Sequence, residues 1–301
     1  MQKVAYLFPG QGSQSVGMGK VFQSTEHFHI AQDAGILLDI DVVELLCSDN
    51  AEILNTTHNA QLAILITSLM AFESIDKSRL KPIFFAGHSL GQVSALICSE
   101  TISFEEGIEF ASVRALETQK CADTKGGKMA ALLGIDFDGV VKLIREVDGI
   151  YLANDNAPGQ IVIAGDENSI LHAVEICKDF GAKKGVLLPV NGAFHTPLME
   201  QASRILTSTL SSMAFSDPIA PVVSNDDANA YKDGEVFRKK SDQHVSHSVR
   251  WRETMDTINA GQIDFAIEVG NGSSLAGLAK RCTPDLVIKH YTDLIRVEKS
   301  I

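Results

Sequence analysis

Short apolar runs, each stopped by glycine, proline or a charged residue, alternate along the 301-residue chain with longer stretches in which apolar positions recur every three or four residues. Residues 4–8 and 83–86 are continuous apolar runs of the kind that a strand buried on both faces requires. Residues 59–74 carry apolar side chains at helical spacing and lead through Lys81-Pro82 into the second run. A helix follows at 92–98, and another at 104–121 sets Ile108, Ala111, Ala115 and Leu116 along one side. Strand and helix in alternation predict an α/β protein with a parallel sheet core.

The middle of the chain changes rhythm. Residues 128–135 read as a strand, 137–147 as a helix, and 149–154 and 160–165 as two further strands. Asp166 then caps a helix that runs to about 180 and is stopped by Gly181, and 184–190 closes the series as a fourth strand. That β-α-β-β-α-β order is the split βαβ arrangement of ferredoxin-like modules. It predicts a small domain at 126–192 inserted into a larger α/β domain made of 1–125 and 193–301. The larger domain resumes with a helix at 197–213, a strand at 221–224, a helix from 249, a strand at 265–269 and a last helix from 273.

Composition removes several classes of function. A formal net charge of −12 argues against binding to a phosphate backbone, which needs a basic surface, so nucleic acid is not an expected partner. An acidic protein partner would have to dock on a local basic patch. No run of 18 apolar residues offers a membrane span. The apolar stretch near Met1 ends at Pro9-Gly10 with no small-residue cleavage site after it, which predicts a first buried strand and a cytoplasmic protein. The five cysteines (Cys47, Cys98, Cys121, Cys177 and Cys282) are scattered and form no C-x-x-C, so reduced thiols are expected rather than a disulfide framework or a zinc site.

The candidate chemistry sits in Gly87-His88-Ser89-Leu90-Gly91, a G-x-S-x-G between an apolar run and a helix. At such a junction the serine hydroxyl is lifted out of the sheet on a sharp turn, and the first N–H groups of the helix face the place where charge develops in acyl transfer. The alternative is a glycine turn with no chemical role. A serine nucleophile needs a base, and His195 in Asn191-Gly192-Ala193-Phe194-His195-Thr196-Pro197 stands where the chain re-enters the larger domain. A structural histidine satisfied by its neighbours is the competing reading. No carboxylate occupies an obvious third position, so a backbone carbonyl could orient the imidazole.

Several segments in order carry a resemblance that runs nearly end to end. They are Phe8-Pro9-Gly10-Gln11-Gly12-Ser13-Gln14, the 87–91 elbow, Arg114 with Gln119, Pro158-Gly159-Gln160, Ala193-Phe194-His195, Val249-Arg250-Trp251 and Glu268-Val269-Gly270. By these the chain resembles the malonyl-CoA:acyl-carrier-protein transacylase family of fatty-acid and polyketide synthesis. The resemblance implies an α/β-hydrolase-like large domain and an S-malonyltransferase that works through an acyl-serine. It makes Ser89 the nucleophile, His195 its base, and the backbone N–H groups of Gln11 and Leu90 the oxyanion hole. Arg114 matches the arginine that binds the malonyl carboxylate, for which a planar fork of donors is suited. Phe194 matches the bulky residue of enzymes selective for malonyl over methylmalonyl, Gln61 matches a glutamine near the pocket, and Asn156 and Gln160 match polar residues of the small-domain loop, with Asn156 taken as a substrate contact. Arg250 falls where a main-chain carbonyl is bonded to the catalytic imidazole.

The implied partners are malonyl-CoA and an acyl carrier protein, with no metal or redox cofactor and a monomeric or weakly associating chain. The alternatives are an editing hydrolase that clears acyl groups from carrier proteins, an acyltransferase for another acyl group, and a docking protein with a relic site. Gln92, Ala115, Thr118 and Asn271 depart from glutamate, glycine, methionine and proline usual at those places, which bears on substrate selectivity. Lys120, Lys125, Lys128, Lys183, Lys184, Lys280 and Arg281 are candidates for a basic docking patch.

Overall fold

Val4 to Phe8 are apolar at every position, and the strand they form, β1 (Gln2–Phe8), is buried on both faces in a computed structural model that describes residues 1–240 and 243–295. Val4, Tyr6 and Phe8 point into one core and Ala5 and Leu7 into another, so the period of two divides one strand between two layers. Next along the chain come α1 (His29–Leu38), α2 (Val42–Cys47), α3 (Thr57–Ser74), β2 (Leu80–Gly87), α4 (Gly91–Cys98) and α5 (Phe104–Lys125). The middle of the chain forms β3 (Lys128–Leu133), α6 (Phe137–Glu146), β4 (Ile150–Ala157), β5 (Gln160–Gly165), α7 (Glu167–Ile176) and β6 (Lys184–Leu187). The remainder forms α8 (Glu200–Ser211), β7 (Val222–Val223), β8 (Ala230–Tyr231), α9 (Gly234–Lys240), α10 (Trp251–Ala260), β9 (Phe265–Glu268), α11 (Ser274–Cys282) and β10 (Ile288–His290).

The first sheet has the order β10-β9-β1-β2-β7-β8 and is parallel except for the β7–β8 hairpin at its edge. Its register slips between Val4 and Ala5, opposite Pro82, which cannot donate to the ladder. α3 is apolar nearly all round and is accordingly buried on almost every side, against α1, α4 and α5. α10 and α11 cover the opposite face with Trp251, Met255, Leu275 and Ala279. The loop after β1, the elbow after β2 and the segment after β7 all leave the sheet at the carboxyl ends of adjacent parallel strands. That edge is where open α/β sheets bind ligands.

The second sheet, β4-β5-β3-β6, is antiparallel throughout, with α6 and α7 packed on one face over Leu132, Val140, Leu143, Ile163 and Ile170. Its other face carries Met129, Ala131, Val162 and Ala164 toward Ala193 and Phe194. The outer edge of β4 is closed by residues 249–252. Asp155 N–H donates to Val249 O and Val249 N–H to Ala153 O, both at 2.9 Å, and Arg252 Nη2 lies 2.7 Å from Asp155 Oδ2.

Several elements depart from the sequence expectation. β6 stops at Leu187 rather than 190, the helix after Asp166 tightens into a 3-10 turn over Cys177–Phe180, and the helix expected from 197 opens as a 3-10 turn at Pro197–Met199. The helix expected from 249 starts at Trp251, because Val249 is engaged with β4. Helices α1, α2 and α9 and the short strands β8 and β10 were not expected. Two or three residues of strand leave no periodicity to read.

Candidate active site

Tight packing around the elbow explains its glycines. A Cβ on Gly87 would lie 1.9 Å from Gly91 backbone atoms, and one on Gly91 would lie 2.1 Å from Phe8 O. Between them Ser89 takes the left-handed conformation with φ 51°, a cost of about 1 kcal/mol that a side chain accepts only where surroundings enforce it. The Phe8–Gln14 loop lies directly against the elbow, since a Cβ on Gly10 would meet His88 O at 2.3 Å. Gly12 is needed for its backbone rather than for close approach: its φ is 105°, with open space where a Cβ would stand. Asn271 pins this loop by donating to Ser13 O and Ser15 Oγ.

Ser89 Oγ is 2.7 Å from His195 Nε2, across 106 positions of sequence. His195 also has a left-handed backbone, φ 62°, held by its N–H bond to Val245 O. Its Nδ1 is 3.0 Å from both His244 O and His247 O. Carbonyl oxygens only accept, so the proton of the neutral ring sits on Nδ1 and the Nε2 lone pair faces the Ser89 hydroxyl. The Arg250 carbonyl expected in this role instead accepts from Thr254 N–H inside α10, and the Arg250 side chain pairs with Glu253. Burial, then the nearby Arg114 and His88, hold the His195 imidazole down to about 3.

The same serine oxygen accepts from Arg114 Nη2 at 3.1 Å. Arg114 projects from the buried face of α5 and is 3% exposed, with Nη1 donating to Gln61 Oε1 at 2.5 Å. Burial lowers the guanidinium to about 10, which leaves it a cation at neutral pH. Among the described residues its buried Nε–H has no partner. Gln61 is turned toward it by Thr118, whose Oγ1 donates to Arg114 O at 2.8 Å and stands 3.4 Å from Gln61 Nε2.

These groups surround one cavity of about 520 Å³ between the two sheets. Gln11, Ser89 and Leu90 line its floor, Gln61, Arg114 and His195 its wall, and Met129, Val162, Asn156 and Phe194 belong to the side of the small sheet. Leu90 is the cap residue of α4, where N–H groups of the first turn lack acceptors within the helix. Asn156 Oδ1 is 2.7 Å from His88 Nε2, so it joins the small sheet to the elbow. Gln160 lies outside the cavity and accepts from Arg281 on the seam between domains. Trp251 is fully buried, edge-on to His88.

Two buried residues beside the site, Asn225 and His244, were missed in the sequence, and Gln92 was noted there only as a departure from glutamate. Asn225 Oδ1 accepts Ser89 N–H at 2.8 Å, His244 Nε2 lies 3.0 Å from that same oxygen, and Gln92 Oε1 accepts Asn225 N–H at 2.8 Å. The signal for Asn225 was its place just after a strand, but only knowledge that β7 pairs with β2 brings it to the elbow. Of the basic patch residues, Lys120 pairs with Glu117 at 2.6 Å and Lys128 donates to Asn191 at 2.9 Å, so neither cation is left with water alone.

Residues 5–285 match the family described as acyl transferase domain. The chain is 34% identical to the malonyl CoA-acyl carrier protein transacylase of Bacillus subtilis, across 100% of this chain and 97% of that protein. It is similar to the crystal structure of acyl-carrier-protein S-malonyltransferase from Burkholderia pseudomallei, with a TM-score of 0.92 and 34% identity over 97% of this chain and 96% of that one. A structure of a malonyl-transacylase in complex with a type II PKS acyl-carrier protein has a TM-score of 0.91 and 31% identity over 96% of each chain. No helix among the described residues is long and apolar enough to cross a membrane.

Proposed function

The chain belongs to the acyl transferase domain family, and on that premise we propose that it moves a malonyl group from malonyl-CoA to the phosphopantetheine thiol of an acyl carrier protein through an ester on Ser89. One observation carries the reading. A guanidinium and an imidazole share a single serine oxygen, at 3.1 and 2.7 Å. The imidazole suits a serine that attacks, and the guanidinium suits an acyl group that ends in a carboxylate.

Ser89 Oγ attacks the thioester carbonyl carbon while its proton passes to His195 Nε2. The carbonyl oxygen becomes an oxyanion held by the N–H groups of Gln11 and Leu90, each worth about 3 kcal/mol in such a hole. The C–S bond breaks, His195 returns the proton to the departing sulfur, and malonyl remains as an ester on Ser89. The carrier protein's thiol then enters, gives its proton to His195 and attacks the ester carbonyl. Ser89 Oγ leaves and recovers the proton. Arg114, turned by Gln61, holds the malonyl carboxylate through both halves, and Phe194 limits the space beside its α-carbon. Asn156 and the elbow bound the same cavity from the other side.

Every proton in this cycle is handled by Ser89, His195 and the two thiols, so the reaction calls on no metal or redox cofactor. The enzyme serves fatty-acid or polyketide synthesis in the cytoplasm, as a monomer or weak oligomer. The acidic carrier protein docks at the mouth between the domains, where Lys125, Lys183, Lys184, Lys280 and Arg281 supply positive charge. Intact-mass spectrometry after mixing with malonyl-CoA should detect a malonyl adduct that Ser89→Ala lacks, and holo carrier protein should discharge it. Free malonate released equally fast with and without carrier protein would make the protein a hydrolase instead.

A further inference from the structure

Asn225 is fully buried, does not itself line the cavity, and turns both ends of its amide to the elbow. Its Oδ1 accepts Ser89 N–H at 2.8 Å, and its Nδ2 donates to Gly87 O at 2.7 Å. The two backbone groups flank His88, so one amide spans the bend from both sides. Its orientation is fixed by chemistry, because Ser89 N–H can only donate and Gly87 C=O can only accept. Oδ1 therefore takes a second bond from His244 Nε2–H, at 3.0 Å. The His244 carbonyl in turn accepts from His195 Nδ1 at 3.0 Å. Gln92 Oε1 holds the Asn225 backbone N–H at 2.8 Å. A continuous path of buried hydrogen bonds thus runs from the Ser89 backbone through Asn225 and His244 to the far side of His195.

We propose that Asn225 is a positioning residue for acyl transfer: its amide clamps the left-handed Ser89 turn, and His244 ties that clamp to the carbonyl that orients His195. The proposal rests on the reading of Ser89 as nucleophile and His195 as base. Fixing both partners from one amide holds the hydroxyl and the imidazole in register without touching substrate. Loss of the clamp should slow the chemistry and spare binding, since Arg114 and Gln61 hang from other helices, α5 and α3.

The test is rapid-quench intact-mass measurement of the malonyl–Ser89 adduct, with malonyl-CoA and no carrier protein. Adduct amplitude counts competent sites, and the rate constant reports each site's chemistry. Asn225→Ala should lower the rate constant at saturation about 100-fold, the order of loss for reacting groups displaced by about 1 Å, and shift half-saturation less than about threefold. An unchanged rate constant with only lower amplitude or melting temperature overturns the proposal and leaves Asn225 structural. If that variant does not fold, His244→Leu removes a single bond and should slow acylation about tenfold, the effect of losing a bond worth near 1.4 kcal/mol. His244→Gln, which can still donate to Oδ1, should recover most of that loss; equal rate constants in His244→Leu and the parent overturn the proposal. Absence of any adduct in the parent enzyme removes the reading of Ser89 itself, and the clamp falls with it.

Discussion

Arg114 reaches Ser89 directly: its Nη2 donates to the serine Oγ at 3.1 Å. The cation is therefore within one acyl group of the serine oxygen. On the proposed reading, a three-carbon diacid esterified to Ser89 would meet that guanidinium with its free carboxylate. Arg114→Ala should lower malonyl transfer at least about 100-fold, as expected for loss of a buried charge-assisted pair, and should lower acetyl transfer far less. Arg114→Lys should restore little, because a point charge does not reproduce the fork. An acyl-CoA panel read by intact mass checks this; equal losses for malonyl and acetyl would remove Arg114 from selectivity.

Phe194 lines the cavity and packs against the Met129–Val162 face of the small sheet. Phe194→Ala should raise methylmalonyl transfer relative to malonyl by about tenfold or more, since a single methyl is worth about 1–3 kcal/mol of discrimination. Competition between the two CoA thioesters, scored by adduct mass, measures the ratio. An unchanged ratio would leave Phe194 as packing only.

Acid should act on stability before it acts on the base. His195 is held down to about 3, and His244 and His88 are also lowered, chiefly by burial. In the unfolded chain these rings titrate near 6.5. Between that value and the folded one the unfolded state binds more protons, so stability is full above about pH 7 and falls as pH drops through the window. The melting temperature should decline from pH 6.5 downward, and His244→Gln should make the decline shallower. Over the range where the fold holds, kcat/KM for malonyl-CoA should stay level through pH 6.5, where an ordinary imidazole base would be half protonated. An inflection at that pH would show that His195 titrates normally.

Asp155 is the buried partner on the domain seam, its side chain 3% exposed beside Arg252. Arg252→Ala leaves that carboxylate without its cation and should cost about 3 kcal/mol. Arg204→Ala, which removes an equally close pair on the exposed face of α8, should cost far less. Denaturant melts of the two variants make the comparison. Equal effects would mean that the Arg252–Asp155 pair is solvated in solution.

Where periodicity or a fixed turn governs structure, the sequence was readable. The G-x-S-x-G elbow, the apolar runs of β1 and β2 and the alternation over β3 to β5 obey local rules, and their positions follow within a few residues. His195 could be named from its place after the last strand of the insert and Arg114 from the resemblance, but their meeting at one oxygen comes from the packing of α5 against the segment after β6. Asn225 carries only a weak local mark, its place just after a strand, and His244 carries none. Their roles arise from which strand lies beside which, a fact about the sheet order and not about any window of residues. Arg250 failed for the complementary reason: α10 begins one residue later and takes its carbonyl as a helical acceptor, so the oxygens facing His195 come from upstream.

The seam along β4 makes residues 249–252 part of the small sheet's framework although they lie some sixty residues beyond its last strand. Anyone exchanging that insert with a relative's to change acyl preference would be transplanting a roof without its eaves. The graft boundary that respects the molecule has to carry the Val249–Arg252 strip along, and a chimera cut at the covalent junctions alone should melt lower than one that includes it.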